Sequence, residues 1–149
     1  MNFNIKSPGD VIGKGCRLKW SSGFSSEWNG NFTRAQLYVG TECVRCMKRF
    51  TPFLNGPLEH SATVTNGGAE IRQSVPYARY QYYGKVMTDE KGRTYVGRGE
   101  TKNVVTNRPL VYNKHEHAEA GSLWFERMKA KYKDQILAGA QRIANGGTI

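Results

Sequence analysis

SEWNGNFTRAQLYVGTECVRCMKRF, residues 26–50, is the stretch on which the fold turns. Phe32, Val39, Cys43, Cys46 and Phe50 follow one another at offsets of 7, 4, 3 and 4, which stacks them on one face of an α-helix. Ala35 and Met47 widen that stripe. Ser25 or Ser26 is placed to cap the start, because a hydroxyl oxygen there accepts from an early unpaired N–H. Thr51-Pro52 closes the end, since proline disfavours helical geometry in the residue before it. Gly40 weakens the interior by roughly 1 kcal/mol relative to alanine; a close contact with a neighbouring backbone would explain it, and a merely tolerated glycine is the alternative. A second stretch of the same kind covers residues 122–144. There Phe125, Met128, Tyr132, Ile136 and Ile143, with Ala140 alongside, mark one face. Ser122 is the candidate cap, Gly146-Gly147 the stop, and Arg127, Lys129, Lys131 and Lys133 ride the other faces.

Between these helices the pattern changes to short β runs. Ala62-Thr63-Val64-Thr65 and Ala69-Glu70-Ile71-Arg72-Gln73 flank Asn66-Gly67-Gly68, the signature of a hairpin. Asn55-Gly56 is a turn pair inside an apolar segment. Pro76 and Gly84 bracket a short helix that carries Tyr77, Tyr80, Tyr82 and Tyr83. Residues 85–121 are the least regular. Asp89-Glu90-Lys91-Gly92 is a turn signal for a hairpin joining Lys85–Met87 to Arg93–Val96, and Leu110-Val111-Tyr112 is a further candidate strand. At the other end, residues 2–6 alternate polar and apolar as a short strand does. Residues 11–25 have no single reading; Gly13 and Gly15 match only a fragment of a phosphate-binding loop. The order is strand, helix, hairpin, short helix, irregular β segment, helix. It predicts an α+β fold: two long helices packed on a small antiparallel sheet, with a short Tyr-rich helix and a long irregular loop. Residues 1–149 are expected to form one domain, with 85–121 as a long loop or arm.

The 149 residues suit one core, and 38% hydrophobic content with 8 Tyr, 6 Phe and 3 Trp is too rich for a disordered chain. No apolar run approaches the ~18 residues of a membrane span, so no membrane partner is expected. Met1–Asp10 lacks the pattern of a secretory leader. Lys and Arg exceed Asp and Glu by 22 − 12 = +10, with the excess at both ends of the chain. Such a surface favours polyanions, nucleic acid included, and equally suits an acidic protein partner. Cys43 and Cys46 form a lone CxxC. A zinc site needs a second ligand pair, and Cys16, His60, His115 and His117 are the only other candidates. The helical spacing puts both cysteines on the inner face, which favours core residues. His115-Glu116-His117 offers too few ligands for a metal. There is no nucleophile elbow and no recognisable pair of catalytic acids. A Cys–His nucleophile is disfavoured by the inner placement of Cys43 and Cys46. Neither an enzyme nor a bound cofactor is expected.

Three segments taken together carry a family likeness. They are Thr51-Pro52-Phe53-Leu54-Asn55-Gly56-Pro57-Leu58, Pro76-Tyr77-Ala78-Arg79-Tyr80-Gln81-Tyr82-Tyr83-Gly84-Lys85-Val86-Met87, and Ala120-Gly121-Ser122-Leu123-Trp124-Phe125-Glu126-Arg127-Met128-Lys129-Ala130. With Val105-Thr106-Asn107-Arg108-Pro109-Leu110 between the last two, their order and spacing resemble the minor capsid proteins of tailed bacteriophages, encoded among the head–tail joining genes. The likeness covers about residues 26–145. It implies a structural, non-catalytic, cofactor-free role in the virion neck, similar to tail-completion proteins, after synthesis in the cytoplasm of the bacterial host. The implied assembly is a ring, six-fold or twelve-fold, between the portal and connector complex and the tail tube. Its implied neighbours are copies of itself, connector or stopper proteins, and tail-terminator or tail-tube proteins. DNA would pass through the channel without tight binding.

A ring needs two unlike patches per subunit. The Tyr77–Tyr83 helix and the 85–121 loop are expected to supply one. Its candidate interface residues are Tyr77, Arg79, Tyr80, Tyr82, Tyr83, Lys85, Arg93, Arg98 and Arg108. A DNA conduit gains nothing from gripping DNA, so a protein partner is expected for much of the basic surface. The alternative is a small basic nucleic-acid-binding protein, whose duplex affinity would fall steeply with salt.

Overall fold

The computed structural model of the chain describes residues 4–148. Among them, β1 (Val11–Gly13) pairs antiparallel with β2 (Cys16–Leu18), and the long helix α1 follows (Phe24–Met47). A 3-10 turn at Lys48–Phe50 extends α1 to the predicted stop, where Thr51 turns extended ahead of Pro52. Then come α2 (Pro57–His60), the paired strands β3 (Ala62–Thr65) and β4 (Glu70–Gln73), and α3 (Ala78–Tyr83). β5 (Lys85–Thr88) and β6 (Val104–Pro109) form a third two-stranded pair, antiparallel, and α4 (Trp124–Ala144) is the last described element. The class is α+β: two long helices with small two-stranded sheets. No described helix is long and apolar enough to cross a membrane.

The chain forms two compact units. The first takes in the chain up to Glu42, Val64–Ile71, and the chain from Asp134 onward. Here α1 and α4 run antiparallel: a Cβ on Gly139 would meet the Tyr38 ring, and one on Gly146 would lie 3.6 Å from Asn31 Nδ2. Ala35, Ile136 and Ile143 are buried. Of the two readings of Gly40, the close contact is the one the structure shows. A Cβ there would lie 2.8 Å from Val64 Cγ1 and 3.0 Å from the Gly68 carbonyl oxygen. Trp20, Phe24, Trp28 and Phe32 form a ladder with ring centroids 4.9, 6.0 and 5.8 Å apart, an i,i+4 stack that extends the α1 stripe backwards.

Two local expectations for this unit change and one holds. The helix starts at Phe24, and the Gly23 carbonyl accepts both the Glu27 N–H (3.0 Å) and the Ser26 hydroxyl (2.9 Å). Ser26 therefore donates and does not cap. The strand expected at 2–6 falls partly outside the described residues; residues 4–6 form no strand, and Asn29 instead brackets Ile5 through its backbone N–H (2.8 Å) and carbonyl (3.2 Å). The first strands lie further on, in the stretch that had no single reading. At the C-terminus, Gly146 N–H donates to the Ile143 carbonyl and Gly147 N–H to the Arg142 carbonyl, both at 2.9 Å, so the glycine pair stops α4 as expected.

The second unit comprises Cys43–Thr63 and Arg72–Lys133. Its core holds Cys46, Met47, Phe50, Leu58, Ala78, Ala120, Trp124 and Met128, with Thr51 and Thr88 buried among them. Cys46 is in the core as read, Cys43 is half-buried, and Cys16 is exposed on β2. Trp124, not Phe125, heads the buried face of α4: Trp124 is 1% exposed and Phe125 only half-buried. The shift by one position follows from the entry turn. Leu123 takes φ 50°, donates its N–H to the Tyr82 carbonyl (2.8 Å) and accepts the Arg127 N–H (3.0 Å), so Ser122 is not the cap.

The partner of β5 also differs from expectation. The turn at Asp89–Gly92 forms, with Asp89 N–H to the Arg93 carbonyl at 3.1 Å and Gly92 N–H to the Asp89 carbonyl at 3.0 Å. The chain beyond it does not return along β5. Met87 pairs with Val105 and Thr88 with Val104 instead. Val104-Val105-Thr106 is β-branched, whereas Arg93 is drawn back to the Asp89 carboxylate. Leu110–Tyr112 forms no strand; Leu110 N–H bonds the Gly84 carbonyl (2.9 Å) and the Tyr112 hydroxyl donates to the Gln81 carbonyl (2.5 Å).

Candidate interaction surface

The nine expected interface residues all lie in the second unit, but they do different things. α3 turns Tyr82 inward, where its ring meets Trp124 edge-on at 4.8 Å and 89°. Burial, then the Glu126 carboxylate, push the Tyr82 hydroxyl pKa up, so it stays a neutral phenol. Tyr80 is half-buried and donates to the Lys102 carbonyl at 3.3 Å. Tyr77 and Tyr83 face outward, Tyr83 at 60% exposure. Gly84, at φ 69°, ends α3 by donating to the Tyr80 carbonyl and delivers the chain into β5.

Four of the nine converge. Arg79, Tyr80, Tyr83 and Lys85 line an open groove of about 380 Å³ with Met87, Lys102, Asn103 and Val105. Met87 and Val105 are cross-strand partners and form its apolar floor. Arg79, Lys85 and Lys102 supply three cations, and no carboxylate lines it. Met87, Lys102 and Val105 are not among the nine expected interface residues. The β-branched run at 104–106 was the available signal for β6, and only the β5–β6 register brings it beside α3.

Arg93 is occupied locally. Its Nε lies 2.6 Å from Asp89 Oδ2, and its Nη2 lies 3.3 Å from Glu100 Oε2. Asp89 Oδ1 also accepts the backbone N–H of Arg93 (2.7 Å) and of Lys91 (3.0 Å). The Arg93 backbone bond, then its guanidinium, hold the Asp89 carboxyl below the usual carboxylate range. A depressed folded value means that the contribution of Asp89 is complete above the unfolded value of about 3.9. It is lost as pH falls through the lower folded value. The Asp89 carboxyl carbon is expected to titrate below 3.9 by NMR. Asp89→Asn is expected to speed hydrogen exchange at the Lys91 and Arg93 amides while leaving the unfolding midpoint nearly unchanged. Arg98 and Arg108 are exposed.

A second surface, apolar, adjoins the Pro52–Leu58 turn. A groove of about 260 Å³ is lined by Phe53, Leu58, Tyr77 and Tyr112, among others, with Leu54 78% and Val111 96% exposed at its margin. The two histidines of the His-x-His pair diverge. His115 is exposed beside Glu116, while His117 sits under the Phe53 ring. His117 Nδ1 lies 2.9 Å from the Thr51 carbonyl oxygen, and its Nε2 lies 3.4 Å from Glu59 Oε2. It fastens the irregular segment after β6 to the end of α1. The described residues contain no group of three or more His, Cys, Asp or Glu side chains arranged to hold a metal.

A family model described as minor capsid protein matches residues 25–143. The chain belongs to the minor capsid protein family. The match starts one residue into α1 and stops one residue short of the end of α4, so it takes in both long helices and everything between. The β1–β2 pair lies outside it. No curated protein and no solved structure matches the chain. As a minor capsid protein it is a structural component of the bacteriophage virion, in a family that is not enzymatic.

Proposed function

We propose that this minor capsid protein occupies the virion neck, as a ring between the portal and connector complex and the tail tube. The observation that carries the reading is the exposed surface of the second unit, where Leu54, Tyr77 and Val111 leave large apolar groups in water along one groove and Tyr83 does so beside a separate basic groove. A monomer free in solution gains nothing from such a face, and an assembly buries it. A ring also needs a second, unlike patch. The first unit carries a candidate in the apolar groove lined by Phe32, Ala35, Val39, Leu137 and Ala140. Copies of the chain, a connector or stopper protein and a tail-terminator or tail-tube protein are the proposed neighbours. DNA passes the ring without being held by it.

The test is cryo-electron microscopy of intact particles, with symmetry imposed at the neck. The expected result is density for this fold in a closed six-fold or twelve-fold ring between connector and tail. Density for it elsewhere in the capsid, or particles lacking the protein, overturns the neck position. If the protein is absent from particles and binds duplex DNA with a steep salt dependence, the nucleic-acid-binding reading replaces it.

A further inference from the structure

We infer that the groove between α3 and the β5–β6 face binds an extended acidic segment of a neighbouring virion protein, with one apolar side chain of that segment seated on Met87 and Val105. The inference rests on the proposed assembly role and names the chemistry of the partner. Arg79 and Lys85 are exposed and Lys102 is half-buried; these three cations surround a floor of one methionine and one valine. Tyr80 and Tyr83 complete the wall. Such a slot rewards a ligand that supplies both carboxylates and an aliphatic anchor, because each cation gains a partner as the floor is dried.

Other occupants fit less well. A second copy of this chain brings another +10 of charge to a site that is already basic. Duplex DNA would neutralise the cations but has no apolar group to lay on Met87 and Val105, and a groove of about 380 Å³ is far smaller than a duplex. A single strand would stack bases on the tyrosines, which makes it the sharpest competitor in the test.

The experiment is fluorescence anisotropy with the full-length chain and four labelled probes, with a fifth, the Lys-for-Glu peptide, kept for the charge-swap variant. The four are a dodecapeptide of alternating Glu and Ser with a central Leu, the same peptide with Ser for that Leu, its Gln-for-Glu counterpart, and oligothymidylate of equal charge. The first probe is expected to bind most tightly, and loss of either the Leu or the carboxylates is expected to weaken it roughly tenfold. Lys85→Glu with Lys102→Glu is expected to abolish binding of the acidic peptide and to create binding of its Lys-for-Glu counterpart. That charge swap shows the variant to be folded. Lys129→Glu with Lys133→Glu on α4 changes net charge equally and is expected to leave binding within about twofold. Equal loss in the α4 variant reduces the effect to net charge and overturns the inference. No binding of any probe, or tighter binding of the oligonucleotide that vanishes with the groove variant, overturns it too. The neck position fails separately: a ring at the neck with this groove empty sinks the inference alone. Peptide binding without a neck ring sinks the position alone.

Discussion

Trp124→Ala is expected to destabilise the protein by about 3–5 kcal/mol, the range for removing a large aromatic side chain from a core. Trp124 is 1% exposed and is the largest fully buried side chain among the described residues. Its ring is the surface against which Tyr82 stands edge-on, a geometry worth about 0.5–1.5 kcal/mol beyond burial. Its position at the first turn of α4 follows Leu123, whose N–H is bonded to the Tyr82 carbonyl. Removing the indole therefore leaves a cavity and loosens the contact that seats α3 beside α4 in the second unit. The measurement is denaturant unfolding, with the midpoint falling at unchanged slope. Hydrogen exchange at the Leu123 amide should quicken in parallel. Phe125→Ala, at a half-buried neighbour, is expected to have the smaller effect. If the two variants are equally destabilised, the assignment of the buried face is wrong.

Gly68→Ala is expected to cost about 3 kcal/mol or more, although it adds a single methyl group. Two penalties combine there. Gly68 has φ 99°, a region that disfavours residues with a Cβ and carries a strain of about 1–3 kcal/mol. The added Cβ would also lie 2.6 Å from Leu37 Cα and collide with the Gln36 carbonyl. Those are backbone atoms of α1, so relief requires the β3–β4 turn to lift off the helix, an overpacking cost of about 1–3 kcal/mol. Gly67→Ala is the internal control. It has φ 62° and open space around the new Cβ, so only the left-handed backbone is penalised, at about 1–2 kcal/mol. Thermal unfolding of the two variants checks the pair, at roughly 3 °C per kcal/mol for a chain of this size. Equal losses would mean that the turn does not rest on α1.

The same contact shows how far sequence reading reached. Gly40 inside α1 admits either a close neighbour or a merely tolerated glycine, and Val64 and Gly68 decide for the neighbour. Nothing local links position 40 to position 68, so the choice and the partner are set only in the folded chain. The candidate interface residues divide similarly. Tyr77 and Tyr83 are exposed and Arg79 and Lys85 share a groove, while Tyr82 packs on Trp124. Arg93 looks in sequence like one more surface cation, yet Asp89 and Glu100 occupy its guanidinium. Met87 and Val105 read only as parts of short apolar runs, and become a floor through cross-strand pairing.

By itself, the sequence determined the two long helices, the β3–β4 hairpin, the Pro- and Gly-bracketed α3, the basic charge and the family likeness. The secondary elements rest on signals a few residues apart, such as 3.6-residue periodicity, proline and glycine punctuation and runs of β-branched residues, which are legible without knowing which distant segment each element meets. Only the tertiary structure decided that β5 pairs with Val104–Pro109, that Trp124 rather than Phe125 enters the core, that His117 turns in while His115 turns out, and that three cations surround one groove. Those outcomes depend on which distant segments exclude water from each other, and the free energy of that exclusion belongs to pairs of segments that sequence neighbourhood does not identify.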